Sequence, residues 1–248
     1  MDTIFSEKVG QILKLTLNRP EKKNALTPQM YSTLTASLNE AKADFDIRVV
    51  VITGSGSAFT GGNDIFDFAN TPPTGPDSPV MQFLAVLHDF PKPLIAAVHG
   101  NAVGIGTTML LHCDLVYATA DAKFSMPFVS LGLVPEAGSS LLFPRLVGHV
   151  IASEIFLTGR NFSGTQAHEM RLVNSIEIDP LAKAMEIADE ISKQPPTAVI
   201  NTKALLKSSQ HQAVAMVMEA EGELFRIALE SDEAQLAFMN FLAKKSKG

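Results

Sequence analysis

The chain has 248 residues, 46% of them hydrophobic and 19% charged, with a formal net charge of −6. This content supports a sizeable core, excludes a disordered chain and leaves no basic face for nucleic acid. A single cysteine, Cys113, excludes an intrachain disulfide framework or a cysteine-built metal site, and no apolar run reaches the ~18 residues of a membrane span.

The opening MDTIFSEKVG carries acids and no long apolar run, so it is not expected to be a secretory leader. The final Ser246-Lys247-Gly248 differs from the peroxisomal Ser-Lys-Leu address. A soluble cytoplasmic protein is the expectation. Ile12–Leu17 alternates apolar and polar side chains as a half-buried strand does, and Asn18-Arg19-Pro20 ends it. Thr27 can cap a helix, Pro28 suits its first position, and Met30, Leu34 and Leu38 mark one face. Residues 49–53 (VVVIT) read as a short buried strand, closed by Gly54-Ser55-Gly56-Ser57. Residues 70–79, rich in proline, glycine and threonine, read as a mobile loop before a helix over 80–90, which Pro91-Lys92-Pro93 breaks. A strand over Leu94–Val98, a buried helix over 104–111 and a strand over 114–118 follow, so the first two-thirds is α/β. Beyond Gly138, helices are expected over 148–157 and 165–171, a strand over 174–178, and a helix over 180–193 capped by Asp179. Pro195-Pro196 marks a boundary between a core (1–195) and a tail (196–248) of three helices over 197–208, 211–229 and 232–244. Val214, Val217, Met218, Leu224, Phe225 and Leu229 in that tail are more apolar surface than a short appendage buries, which points to docking on a neighbour.

One segment stands out chemically. FSMPFVSLGLVPEAGSS (124–140) places one carboxylate, Glu136, in a stretch without other charge from Ser125 to Phe143. Desolvation raises such a pKa, which suits a base working near neutral pH. The same residue also reads as a first-turn helix acid favoured by the dipole. Gly61-Gly62-Asn63-Asp64 lets backbone approach a ligand closely, or is a plain loop before a helix that Asp64 caps. Residues 100–106 follow a strand and open a helix, whose first-turn N–H groups lack intrahelical partners. Their spacing matches neither G-x-G-x-x-G nor a phosphate loop. No G-x-S-x-G elbow surrounds Ser139-Ser140, and the six histidines lack H-E-x-x-H spacing and read as structural or surface groups. One base and two sets of N–H donors suggest proton transfer beside a carbonyl.

Together these segments resemble the crotonase superfamily, the enoyl-CoA hydratase/isomerase family, over nearly the whole chain. The resemblance rests on Leu17-Asn18-Arg19-Pro20 with Lys23-Asn24-Ala25-Leu26, residues 59–65, Pro91-Lys92-Pro93, Ala97-Val98-His99-Gly100, Cys113-Asp114, Gly132-Leu133-Val134-Pro135 and Leu157-Thr158-Gly159. It implies a crotonase-like spiral of ββα units with a C-terminal helical region that packs in trimers, or in hexamers built as dimers of trimers. It implies an acyl-CoA thioester substrate, no metal, and no cofactor beyond the CoA of the substrate; neither nucleic acid nor membrane is a partner. It assigns oxyanion donors to the backbone N–H groups of Asn63 and Ile105. Substrate-lining positions fall on Lys23, Ala25, Gly61, Gly62, Asp64, Ile65, Gly104, Phe128 and Pro135, with Lys22 and Lys23 toward the nucleotide end. Hydratases of the family carry two glutamates where this chain has Thr108 and Phe128. Glu136 instead matches the base of peroxisomal-type Δ3,Δ2-enoyl-CoA isomerases. The resemblance therefore implies a shift of the double bond of a 3-enoyl-CoA to the 2-enoyl-CoA in fatty-acid β-oxidation. A hydratase, thioesterase or dehalogenase on the same fold, or a non-catalytic acyl-CoA-binding module, are the alternatives.

Overall fold

The computed structural model describes residues 3–70, 75 and 77–245. In chain order its elements are β1 (Ile4–Val9), β2 (Ile12–Leu17), α1 (Pro28–Ala43), β3 (Val49–Gly54), α2 (Ile65–Asn70), α3 (Pro79–Asp89), β4 (Leu94–Val98), β5 (Asn101–Val103), α4 (Ile105–Thr108), β6 (Leu115–Ala118), β7 (Lys123–Ser125), α5 (Ser139–Val147), α6 (His149–Thr158), β8 (Phe162–Ser163), α7 (Gly164–Glu169), β9 (Ser175–Ile176), α8 (Pro180–Ser192), α9 (Pro196–Ser208), α10 (His211–Leu229) and α11 (Asp232–Lys245). The loop expected over 70–79 falls in part on residues 71–74 and 76, outside the described residues.

Six strands form one sheet in the order β1-β2-β3-β4-β6-β9, parallel from β2 onward, with β1 antiparallel at one edge. Successive residues of β3 and β4 point to opposite faces of the sheet, and both faces are buried, so these two strands are continuous apolar runs. Val49, Val51, Ile95, Ala97 and Tyr117 pack under α8, where Ala184 and Ala188 permit close approach. The alternate residues, Val50, Ile52, Ala96, Val98 and Val116, face the main core with Phe59, Phe83, Phe124 and Phe143. Both faces are covered, so no position on β3 or β4 can be polar without an internal partner. Thr53 meets this by donating to the Ala97 carbonyl at 3.0 Å.

A second sheet, β5-β7-β8, runs beside the first. β4 leads into β5 and then α4, and β6 leads into β7 and, through a loop, α5. These repeated turns give the ββα spiral of the expected α/β fold. The caps on α1 and α8 are also as expected: Thr27 accepts from Met30 N and Asp179 from Ala182 N. Several elements escaped the sequence pattern. Only Ile4 of β1 is buried, so the strand shows no alternation. β5, β7 and β8 span two or three residues each, too few to show a period. Pro144 lies inside α5 and masks it as a helix. The helix expected over 104–111 is a single α-turn that tightens into a 3-10 turn at Met109–Leu111.

The C-terminal helices are fastened to the core by buried charge. Lys203 of α9 donates to the Lys92 carbonyl and to Asp114 Oδ2, both at 2.7 Å, and Asp114 Oδ2 also accepts from Leu94 N. Lys92 in turn donates to the carbonyls of Ala41, Asp44 and Ile47, closing the end of α1. Burial pulls the Lys203 pKa down to about 8 against the upward pull of Asp114. On α10, Val214 and Phe225 are buried within the chain, and Met218 and Leu229 pack on its core. The apolar face expected to meet a neighbour is thus largely used internally. Leu224 of that face remains exposed, as do Leu205, Leu206, Met216 and Ile227. No helix among the described residues is long and apolar enough to cross a membrane.

Lys203→Ala leaves Asp114 and the Lys92 carbonyl without their buried donor. Removing one partner of a buried pair costs roughly 3–5 kcal/mol, and the partial exposure of Asp114 puts the expectation at the lower end. Chemical denaturation of the variant against the parent chain measures it.

Candidate active site

Three loops converge on the site, and the first is set by Asn24. This residue is fully buried with φ 55°, a conformation asparagine tolerates better than most residues. Its Nδ2 donates to the carbonyls of Ser55, Ala58 and Phe59, and its Oδ1 accepts from Arg19 N. Residues 23–26 are thereby pinned along the segment that leaves β3.

The second loop, 59–63, lies between residues 23–26 and β5. Gly61 N donates to the Lys23 carbonyl and Leu26 N to the Gly62 carbonyl. On the other side Thr60 N donates to Asn101 O and Val103 N to Thr60 O. Gly62 makes the approach possible: at φ 82°, a Cβ there would stand 2.6 Å from the Val103 carbonyl oxygen. The third loop turns through Gly104, at φ 56°, into α4. This pairing leaves the backbone N–H groups of Asn63 and Ile105 with no protein acceptor among the described residues. Ile105 is the first residue of α4, where an N–H has no intrahelical partner. Two unpaired N–H groups can stabilise an oxygen that gains negative charge.

Glu136 lies two residues before Gly138, the N-cap of α5, and so is not a first-turn acid. The Thr108 hydroxyl, one turn along α4 from Ile105, donates to Glu136 Oε1. Burial pushes the Glu136 pKa up to about 8; the Thr108 hydrogen bond works against that shift, and the charge of Glu221 adds to it. The Tyr31 hydroxyl of α1 donates to Asn63 Oδ1 at 2.5 Å. Burial, and then the charge of Glu136, holds the Tyr31 phenol well above its ordinary pKa. Tyr31 therefore links the Asn63 loop electrostatically to Glu136.

The backbone on the C-terminal side of Glu136 is held on two sides. His112 Nε2 donates to the Ala137 carbonyl at 2.7 Å; burial takes the His112 pKa down to about 4, which keeps the ring neutral. Glu221 of α10 accepts from Gly138 N at 2.6 Å and Ser140 N at 2.9 Å, capping α5 from another helix. Ala137 and Gly138 both have positive φ, which strains Ala137 but not the glycine, and these contacts fix the pair.

The sequence-predicted residues divide accordingly. Gly61, Gly62, Asn63, Gly104 and Ile105 form the adjoining loops described above, and Thr108 brings Glu136 to the same short helix. Asp64 is engaged structurally: Arg19 reaches its Oδ2 at 2.6 Å, and its Oδ1 accepts from Phe66 N to cap α2. Burial would raise its pKa, but the Arg19 hydrogen bond and charge leave it lowered. Lys23 is exposed and contributes its carbonyl, while the Ala25 carbonyl accepts from Arg19. Ile65 packs on the core, Pro135 is half-buried, and Phe128 is buried with its carbonyl accepting from Leu131 and Leu133 N. Sequence reasoning missed Tyr31, His112 and Glu221. Tyr31 sits beside Met30 on the buried face of α1, but nothing local marked His112 or Glu221, whose partners are remote in the chain.

Residues 7–247 match the family model described as enoyl-CoA hydratase/isomerase. The chain belongs to this family. It is 34% identical to human enoyl-CoA delta isomerase 2 over 99% of its own length, though it spans only 64% of that relative. It is also 34% identical to 1,2-epoxyphenylacetyl-CoA isomerase of Escherichia coli K12, covering 99% of this chain and 97% of the relative. Among solved structures, Pseudomonas aeruginosa OdaA superimposes with a TM-score of 0.95 at 46% identity, covering 97% of this chain and 99% of the other. The family and the ββα spiral agree with the resemblance read from the sequence.

Thr108→Val removes the hydroxyl that holds the Glu136 pKa down. The Glu136 carboxyl is expected to titrate near pH 8 in the parent chain and at higher pH in the variant, as read by carbon NMR of labelled glutamate.

Proposed function

We propose that this chain is a Δ3,Δ2-enoyl-CoA isomerase that uses Glu136 as its single base. The observation that carries this reading is the state of Glu136: a carboxyl tuned to about 8 and bonded, among the described residues, only to a neutral hydroxyl. The neighbouring acids are otherwise engaged, Asp64 by Arg19 and Glu221 by two backbone N–H groups. Thr108 and Phe128, at the positions of the hydratase glutamates, can neither activate nor protonate water. The similarity to a delta isomerase supports the same choice.

The chemistry follows from these groups. Ionised Glu136 takes a proton from C2 of a 3-enoyl thioester. The C–H electron pair moves into the conjugated system and charge collects on the thioester oxygen, giving a dienolate. The Asn63 and Ile105 N–H groups stabilise that oxygen, each donor contributing roughly 3–4 kcal/mol. The protonated Glu136 then returns the proton at C4, leaving the 2-enoyl thioester. One base and two backbone donors complete the cycle, so no further cofactor is required. The reaction fits fatty-acid β-oxidation in the cytoplasm, with CoA as the shared handle of substrate and product.

Glu136→Gln keeps the shape and removes the proton acceptor. Turnover of a trans-3-enoyl-CoA is expected to fall by roughly 10²–10⁴-fold, with acyl-CoA affinity little changed. In the parent chain kcat/KM should rise with pH and level off above about 8, because only the ionised carboxyl accepts the proton. Isomerisation and hydration followed together decide it: near-normal turnover in the variant would remove Glu136 from the mechanism.

The chain is proposed to assemble as a homotrimer or as a hexamer of two trimers. The exposed Leu205, Leu206, Met216, Leu224 and Ile227 of α9 and α10 are the surface that supports this. Light scattering at micromolar concentration should give a mass of three or six chains; a monomer would count against the assembly.

A further inference from the structure

Away from Glu136, three potential metal ligands meet where α3 ends and α10 begins. His88 and Asp89 close α3, and His211 opens α10. Asp89 Oδ1 lies 3.2 Å from His211 Nε2 and 3.9 Å from His88 Nε2, and the three ligand atoms all fall within 4.8 Å of one another. The two imidazole rings are 4.2 Å apart and tilted by 30°. We propose that His88, Asp89 and His211 bind one divalent transition-metal ion, with zinc the best fit to two imidazoles and a carboxylate.

Three features carry this assignment. First, zinc binds nitrogen and oxygen ligands at ~2.0–2.2 Å, so ligand atoms around one tetrahedral ion stand ~3.4 Å apart. The observed separations from Asp89 bracket that spacing. Second, the His88 side chain is only 10% exposed, yet its Nε2 has no hydrogen-bond partner among the described residues. A buried polar nitrogen without a partner is costly, and a metal bond would satisfy it. Third, Asp89 and His211 are exposed, which leaves an entry path and room for a water as fourth ligand. The ion would clamp α3 to α10, next to the His112 ring that meets His88 edge-on at 6.1 Å. The site is separate from the proposed isomerase chemistry and does not depend on it.

Calorimetric titration of zinc chloride into the untagged full chain tests the site, with His211→Ala and Asp89→Ala as the variants. Both substitutions fall on exposed side chains, and circular dichroism checks that folding is kept. One zinc per chain is expected. Its affinity should drop at least about tenfold in each variant, the lower end of what disturbing even an outer-shell metal partner costs. Zinc should raise the thermal midpoint of the parent chain more than that of either variant. No saturable uptake near one equivalent would overturn the proposal. Equal uptake by parent and variants would also overturn it, by assigning the zinc to scattered surface histidines.

Discussion

A carboxyl partly withdrawn from water is the constraint around which the rest of this structure is arranged. At a pKa of about 8, Glu136 is costly to ionise, and nothing cationic among the described residues is bonded to it. The folded protein holds a proton there that the unfolded chain, at the ordinary value of 4.5, gives up. Between those two pH values the group lowers stability progressively as pH rises. The surroundings have to resist relaxation toward water or toward a basic partner. They do so with short, remote contacts: His112 on one carbonyl, Glu221 on two N–H groups, and the Thr108 hydroxyl on the carboxyl itself.

The same rigidity serves the unpaired donors. An N–H group stays unpaired in a packed loop only if its neighbours are fully paired and cannot shift. The loop 59–63 meets this condition through backbone bonds on both sides, with Gly62 allowing a contact that any side chain would block. Asn24 fixes the outer edge of this arrangement with four hydrogen bonds from a single side chain. One donor and the hydroxyl that holds the base then share α4, since Ile105 begins the helical turn that Thr108 ends.

The C-terminal helices belong to the same system. Lys203 joins α9 to the strand ends at Leu94 and Asp114. Glu221 carries the support of α10 to the loop holding Glu136. A change in how α10 sits would therefore reach the base through two hydrogen bonds. The three side chains His88, Asp89 and His211 lie at the joint where α10 starts.

The amino-acid sequence by itself determined the elements with a period and the residues with a chemical signature. The buried strands β3 and β4, the capped helices α1 and α8, and the isolated charge of Glu136 all follow from local pattern, because burial on two faces writes itself as an unbroken apolar run and burial of one stripe into every third to fourth residue. The order and spacing of the glycine-bearing segments carried the family. Tertiary structure alone decided the rest. β1 has one buried residue, and the second sheet is built of strands too short for a period, so neither had a local signature. Whether Asp64 was a free acid depended on Arg19, and the supports of Glu136 came from His112 and from Glu221 on α10. These are contacts between residues far apart in the chain, and a pattern of neighbours cannot encode a partner that only folding brings near.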